Sequence, residues 1–267
     1  MCKKLSCFVL NNSRADGTFS TTSDNPTFHL RKCLWDLFVY YQSLIPLGSG
    51  ILNWEWVDAL TALNRKYSTA FVSFNYDINL ELTLELLGIS YFKETEGLLP
   101  LCQTRGDDVC AVLKPHGSID FFSASGLGNF GPLMDGFGNR IEGAEMTAFT
   151  EVEDYPFRRR PFLPDLVPPG FAGYHICNPK TDLKDAIIFE MRSADLLVLC
   201  GLSARDPDTD EVESYLSQIK PTATVLHVGP ASSSSNEAGR LLQKYASDYK
   251  LIDVANPSNV RNLMSVI

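Results

Sequence analysis

The seven cysteines of this 267-residue sequence include no Cys-x-x-Cys pair. They are scattered along the chain and odd in number, so a structural zinc site of the usual spacing is not expected. Several stand in apolar runs, where an unpaired cysteine behaves as a small hydrophobic residue. We therefore expect free thiols and a reducing compartment, which indicates a cytoplasmic protein.

The sequence also lacks a long apolar run and an excess of basic residues. No run approaches the roughly 20 residues of a membrane-spanning helix. The start of the chain has neither the apolar length nor the small-residue cleavage site of a signal peptide. The formal net charge is −9 and the isoelectric point is near 4.9, which argues against a nucleic-acid-binding surface. We expect no membrane partner and no nucleic-acid partner.

Five short apolar runs predict β-strands. All but the first are nearly continuous rather than alternating, which is typical of strands buried on both faces of a parallel sheet. The predicted strands cover residues 69–75, 109–115, 195–201, 224–229 and 250–254. Apolar residues at helical spacing predict helices over residues 28–45, 52–66, 182–193 and 236–246. This alternation indicates a Rossmann-like α/β fold, a doubly wound parallel sheet, in a single domain spanning residues 1–267.

The segment INLELTLELLG, residues 78–88, fits two kinds of structure. Its alternation of apolar and polar residues is typical of a strand. Leucine and glutamate are good helix formers, however, and Gly88 is a natural helix stop. We predict a helix, and because its leucines then fall on two sides, we expect it to be largely buried.

Residues 120–180 show weak periodicity and are rich in glycine and proline. This composition predicts an irregular insertion, a lid or small subdomain laid over the sheet edge. The segment contains a Gly-x-Gly-x-x-Gly pattern at Gly126, Gly128 and Gly131, but no helix can be drawn after it, since Pro132 and further glycines follow. We interpret that match as loop composition rather than as a dinucleotide-binding fingerprint.

Polar residues stand at the carboxyl ends of three predicted strands. Asn75 and Asp77 end the first, His116 ends the second, and Gly201, Ser203 and Asp206 follow the third. Turn or cap chemistry explains any one of these residues. In open α/β sheets, however, ligands bind just beyond the carboxyl ends of the strands. Three polar strand ends in one sheet therefore predict a pocket.

The ordered segments SFNYD, KPHGSID and ADLLVLCGLSARDPDTDEV resemble the sirtuin-like domain family. They are most similar to its bacterial branch that consumes NAD, often in antiviral defence. The segment FLPDLVPPG, which precedes the third, also resembles a Pro-Pro stretch of that branch. The resemblance covers roughly residues 69–230, and the order and spacing of the segments agree.

The resemblance implies a role for each matching residue. Asn75 resembles the catalytic asparagine that positions the nicotinamide ribose and the attacking water, and His116 resembles the general base at the ribose hydroxyls. The positions that resemble NAD-binding residues are Ser73, Asp77, Gly201, Ser203 and Gly229. NAD would be the substrate, and no metal would be required, because the cationic nicotinamide is already primed to leave.

Two departures from the family pattern keep other functions open. The family has a Gly-Ala-Gly-x-Ser-like loop after its first strand, whereas LSCFVL here runs into NNSRADG, which has one glycine. The four-cysteine zinc module of deacylating sirtuins is absent from the sequence. We expect an NAD glycohydrolase that releases nicotinamide and ADP-ribose. The alternatives are a catalytically silent sensor of NAD or ADP-ribose and, third, an NAD-dependent protein deacylase; a homo-oligomer or a regulatory protein partner is compatible with each.

Overall fold

Helices and mostly parallel strands make up the part of the chain that the computed structural model describes. It describes residues 26–44, 56–93, 98–123, 146–148, 164–166, 180–200, 209–229 and 237–253. Two helices come first in the chain, α1 (Pro26–Leu44) and α2 (Trp56–Lys66). Helix α2 buries Ala59 in a small cluster with Leu226 and Val228, as expected for the apolar stripe that its sequence predicts.

The first sheet is parallel and has the strand order β1-β3-β2. Its elements, in chain order, are β1 (Ala70–Val72), α3 (Asn79–Leu86), β2 (Ser90–Phe92), α4 (Leu98–Thr104) and β3 (Val109–Leu113). Strand β3 lies between two neighbours, so its apolar residues from Cys110 onward are all buried. Because the strands run parallel, β1 and β3 end at the same edge of the sheet.

The alternating segment forms the predicted helix, α3. Gly88 follows it with a φ of +66°, a left-handed conformation that suits glycine and ends the helix. The expectation of buried leucines is met only in part. Glu81, Thr83 and Leu84 are buried, whereas Leu86 is 43% exposed. A carboxylate therefore stands on the buried face of this helix.

A small antiparallel sheet continues directly from the first sheet. Its order is β5-β4-β6, with β4 (Gly117–Ser123) between β5 (Met146–Ala148) and β6 (Pro164–Leu166). Helix α1 packs on this sheet, and the Trp35 indole N–H donates to the Ile119 carbonyl at 2.8 Å. Most of the predicted lid, residues 120–180, lies outside the described residues, so the lid stays a prediction.

The second parallel sheet has the strand order β7-β8-β9. Its elements, in chain order, are α5 (Lys180–Ser193), β7 (Leu196–Cys200), α6 (Thr209–Leu216), β8 (Thr224–Gly229), α7 (Glu237–Tyr245) and β9 (Asp248–Asp253). Five of these six elements coincide with a strand or helix that the sequence predicts; α6 does not. Strand β8 pairs with β7 at five positions and with β9 at six.

One hydrophobic cluster joins the two parallel sheets. Leu113 of β3, Ile187 of α5 and Val225 of β8 are all fully buried in it. Burying each of these side chains contributes roughly 1.5–3 kcal/mol. The predicted α/β class, Rossmann-like with parallel strands, is confirmed, while the boundaries of a single domain stay a prediction. Across the residues that the structure describes, no helix combines the length and the apolar character needed to cross a membrane.

Candidate functional site

Asn75 and His116 follow two neighbouring parallel strands. Strands β1 and β3 pair in register, and the Ser73 N–H extends this pairing by donating to the Leu113 carbonyl at 2.9 Å. Beyond that point each strand gives way to a loop that carries one of the two residues. The structure therefore places the first two polar strand ends side by side, as the sequence predicts.

The loop after β1 exposes Asn75 to solvent. The Asn75 N–H donates to the Ser73 hydroxyl at 3.3 Å, which tightens the turn. Asp77 forms a turn just before α3, because its Oδ1 accepts a hydrogen bond from the Asn79 N–H at 3.1 Å. The side chains of Ser73 and Asp77 thus shape the loop that carries Asn75.

Two consecutive carbonyl groups of this loop are held by the residues that follow β3. The Tyr76 carbonyl accepts from the Ile119 N–H at 2.8 Å and from the Ser118 hydroxyl at 3.3 Å. The Asp77 carbonyl accepts from the Lys114 ammonium, which also donates to the Ser118 hydroxyl at 3.0 Å. These bonds fix the backbone immediately after the predicted catalytic asparagine, so its side chain extends from a rigid base.

Lys114 belongs to a group of four charged side chains that we call the buried charge cluster: Glu81, Lys93, Lys114 and Asp120. Each is at most 8% exposed. Lys114 Nζ lies 2.7 Å from Glu81 Oε1, Lys93 Nζ lies 3.9 Å from the same oxygen, and Lys93 also pairs with Asp120. Two cations and two anions balance, so removing any one of them leaves an uncompensated buried charge.

His116 is buried against an aromatic ring and a carboxylate. It is 5% exposed, its ring lies edge-on to Phe74 with the centroids 5.1 Å apart, and its Nε2 lies 3.0 Å from Glu211 Oε2. The next residue, Gly117, has a φ of +79°, which lets the chain turn sharply into β4. An ionised carboxylate can only accept a hydrogen bond, so this contact favours a proton on Nε2 and a lone pair on Nδ1.

Glu211 is a site residue that the sequence did not single out. It lies in the first turn of α6, near the end of the third family-like segment and 95 positions from His116. Its Oε1 accepts a hydrogen bond from the Tyr215 hydroxyl at 3.2 Å. Burial, followed by the charge of Glu211, raises the pKa of Tyr215 well above its usual range, so the phenol stays a donor. A glutamate four residues before a tyrosine is ordinary helix sequence, and no local signal marks it.

The remaining predicted NAD-binding residues are placed differently. Gly229 is the buried last residue of β8 and pairs with Asp253, so it ends the middle strand of the second sheet. Gly201 and Ser203 lie outside the described residues, as does the first strand candidate with its single-glycine loop. The roles of all these residues, and those of Asn75 and His116, stay predictions.

Metal ligation and thiol chemistry find little support among the described residues. No group of three or more His, Cys, Asp or Glu side chains there could hold a metal ion; the predicted independence from metal stays a prediction. Two of the free thiols, Cys102 and Cys110, are buried. Burial raises the pKa of Cys102 to about 12 and that of Cys110 to about 11. Such thiols are protonated at neutral pH and are poor nucleophiles.

No family model matches the chain, and no curated protein matches it. Among solved structures, two complexes of a Sir2 homologue with ADP-ribose, a histidine-to-asparagine mutant and a phenylalanine-to-alanine mutant, each match with a TM-score of 0.46 and 14% identity, over 97% of this chain and 83% of that chain. A third, described as the structural basis for the mechanism and regulation of Sir2 enzymes, matches with a TM-score of 0.36 and 14% identity, over 79% of this chain and 98% of that chain. The structural neighbours of this chain thus include Sir2 homologues, at low identity.

Proposed function

We propose that this protein is an NAD glycohydrolase, which cleaves NAD to nicotinamide and ADP-ribose. The observation that carries the proposal is an exposed asparagine and a buried, carboxylate-linked histidine at adjacent strand ends of a parallel sheet. Ligands of open α/β sheets bind at that edge. The ordered motifs that contain Asn75, His116 and Ser203 add support, since they resemble the NAD-consuming branch of the sirtuin-like family.

The reaction needs a held ribose, a positioned water and an acceptor for one proton. The bond between the nicotinamide nitrogen and ribose C1′ breaks through an oxocarbenium-like state, and a water oxygen bonds to C1′. Asn75 carries both a donor and an acceptor on its carboxamide, so it can hold a ribose hydroxyl and orient the water. His116 accepts the proton that the attack releases and returns it to solvent.

The binding residues in this proposal follow from the same motifs. Asp77 uses Oδ1 to accept a hydrogen bond from the Asn79 N–H, and we assign its second oxygen to the nicotinamide carboxamide. Ser73 shapes the loop and Gly229 lets backbone approach the adenosine closely. Gly201 and Ser203 are assigned to the phosphates or the adenosine ribose on the motif resemblance. A cytoplasmic role in bacterial antiviral defence belongs to the same proposal and rests on that resemblance.

A catalytically silent sensor of NAD or ADP-ribose is the second candidate. The single glycine in NNSRADG favours it, because a loop with fewer glycines brings fewer backbone N–H groups close to the pyrophosphate. A protein deacylase is a weaker third candidate, since the sequence lacks the four-cysteine zinc module.

The test follows nicotinamide release from NAD by chromatography, with wild type beside Asn75→Ala and His116→Ala. Each substitution is expected to lower kcat by roughly 10²–10⁴-fold, the usual contribution of a positioned acid–base or orienting group. The matched control is Gln103→Ala, an exposed amide on α4, which should keep wild-type activity.

The outcomes of this experiment distinguish the candidate functions and test the roles of the two residues. A wild-type protein that is as inert as both variants at high enzyme concentration overturns the glycohydrolase proposal. If NAD or ADP-ribose still raises its melting temperature, the sensor is supported instead, since a ligand that binds only the folded state stabilises it. Activity that survives both substitutions would remove Asn75 and His116 from the mechanism.

A further inference from the structure

The contact between His116 and Glu211 joins two parts of the chain that the motifs treat separately. His116 follows β3 of the first sheet, whereas Glu211 lies in α6, between β7 and β8 of the second. The His116 and Glu211 side chains are only 6% and 14% exposed. An exposed ion pair contributes little because water screens it, but a pair this deeply buried is screened much less.

Glu211 is itself held in place by a ring of contacts. The Tyr215 hydroxyl donates to its second oxygen at 3.2 Å. Tyr215 packs against Phe74 with ring centroids 6.4 Å apart, and Phe74 in turn packs edge-on against His116. The side chains of Phe74, His116, Glu211 and Tyr215, which come from two strand ends and one helix, therefore contact one another in a closed ring. The carboxylate keeps one direction toward His116 because its other oxygen is occupied.

The position of Glu211 near a helix N-terminus offers a simpler explanation for its charge. Carboxylates in the first turn of a helix are stabilised by the helix dipole, and Asp210 occupies the same turn. Asp210 is exposed, so its carboxylate can interact favourably with the helix dipole without contacting His116. The burial of Glu211 and its 3.0 Å contact with Nε2 are not needed for that purpose. They are what a histidine acting as a base requires.

We infer that Glu211 is a positioning residue, which holds His116 in the Nε2–H tautomer and leaves Nδ1 as the proton acceptor. Its catalytic consequence rests on the proposed glycohydrolase function. When His116 accepts a proton at Nδ1, the ring becomes a cation, and the adjacent carboxylate stabilises it. Glu211 needs no contact with the substrate, so it acts on kcat through the orientation and charge of the imidazole.

The direct test is the tautomer of His116 measured by nitrogen-15 NMR. The chain has four histidines, so labelling histidine alone gives few signals, and the one lost in His116→Asn is assigned to His116. Spectra are recorded at a pH where imidazoles are neutral. Wild type and Asp210→Asn are expected to show the Nε2–H tautomer of His116. In Glu211→Ala and Glu211→Gln we expect a mixture of the two tautomers or a reversal.

The kinetic test uses the same proteins. Glu211→Gln is expected to lower kcat by roughly 10–10⁴-fold, the range found when a carboxylate that orients a metal-bound or general-base histidine is altered, with little change in KM. Asp210→Asn removes the same charge from the same turn and should change neither. The His227 signal reports whether the variants keep their fold, because this buried histidine bonds to Tyr249 in the second sheet.

Failure of the inference and failure of the proposed function give different results. An unchanged His116 tautomer in both Glu211 variants overturns the inference, whatever the activity. A changed tautomer with an unchanged kcat in an active enzyme also overturns it, since orientation would then not matter to the rate. If wild type releases no nicotinamide, the glycohydrolase proposal fails, and a changed tautomer still supports Glu211 as the group that orients His116.

Discussion

The two parallel sheets differ in where the chain around them keeps its charges. Next to the first sheet, the buried charge cluster places Glu81, Lys93, Lys114 and Asp120 at 8% exposure or less. Beside the second sheet, the ion pairs that its own residues make with one another are more exposed: Lys220 pairs with Asp195 at 2.5 Å, with side chains 40% and 83% exposed. The interior strand of that sheet, β8, instead buries mainly apolar residues.

This difference indicates that the buried charges beside the first sheet fix the geometry of the Asn75 loop at a cost in folding stability. Replacing a buried ion pair with apolar residues is often neutral or stabilising, so such pairs are weak evidence for stability. Here the cluster ends on the loop of Asn75, where Lys114 binds the Asp77 carbonyl. An apolar side chain of similar size would fill the space but could not hold a carbonyl group. Among the described residues, the buried lysines are Lys93 and Lys114, and both belong to this cluster.

The largest expected effect comes from breaking the cluster at Lys114. Lys114→Met removes one cation, leaves Glu81 without its nearest partner at 2.7 Å, and frees the Asp77 carbonyl. Breaking a buried pair on one side costs about 3–5 kcal/mol. We expect that loss in the free energy of unfolding, measured by urea denaturation, and a fall in nicotinamide release if the protein is the proposed enzyme.

The matched control lies beside the second sheet. Lys220→Met breaks an exposed pair with Asp195, and such pairs typically contribute about 0–1 kcal/mol. Equal losses of stability in the two variants would contradict the contrast between the sheets, because it would mean that burial does not distinguish the two ion pairs.

A double substitution separates the cluster's effect on stability from its effect on the loop. In Glu81→Leu with Lys114→Met, one anion and one cation are removed together, and Lys93 still pairs with Asp120. We expect most of the stability lost in Lys114→Met to return, so the two substitutions should be strongly non-additive in the double-mutant cycle. The activity should not return, because nothing then holds the Asp77 carbonyl.

Two results would contradict this separation. A double variant as unstable as Lys114→Met would mean that the instability of Lys114→Met does not come from the loss of the partner of Glu81. A double variant with restored activity would mean that the loop of Asn75 needs only a balanced charge, not the ammonium itself. Neither oxygen of the Glu81 carboxylate accepts a hydrogen bond from the described residues. The attraction between this carboxylate and the two lysine ammonium groups therefore depends on their charges rather than on hydrogen-bond geometry.

The sequence predicted the second sheet better than the surroundings of the first. Strands β7 and β8 are nearly continuous apolar runs, and the burial of β8 between two neighbours explains its composition. Strand β2 is only three residues long and α4 contains a proline, so neither gives a periodic signal. The two strand ends at Asn75 and His116 could be predicted to meet, because parallel strands of one sheet end at one edge.

The buried charges could not be predicted from the sequence. Glu81 falls in an alternating segment whose polar residues suggest solvent exposure, and Lys93 and Lys114 follow strands, where lysine is usually exposed. Glu211 lies 95 positions from His116, so only the folded chain brings them together. In each case the side chain is buried by a partner that is distant in sequence, and single-sequence patterns carry no information about such pairs.

The smallest expected effect is a pH dependence in the second sheet. Burial lowers the pKa of His227, which is 2% exposed in β8. The unfolded chain therefore takes up its proton at a higher pH than the folded chain does. As the pH falls through the ordinary histidine range near about 6.5, the unfolded state gains stability relative to the folded state. Above that range the residue is neutral in both states and adds no pH dependence.

His227→Gln should accordingly flatten the dependence of stability on pH. Its urea midpoint is expected to lie below that of wild type at pH 8 and to approach it as the pH falls toward about 5.5, because only wild type loses stability through this residue. Tyr249, 3.0 Å from His227 Nδ1, does not titrate in this range, since burial raises its pKa further above its usual value. A constant difference between the two midpoints across the range would show that His227 takes up its proton equally in both states. Among the described residues of β8, no buried group would then titrate near neutral pH in a way that depends on folding, and the contrast with the buried charge cluster would be sharper still.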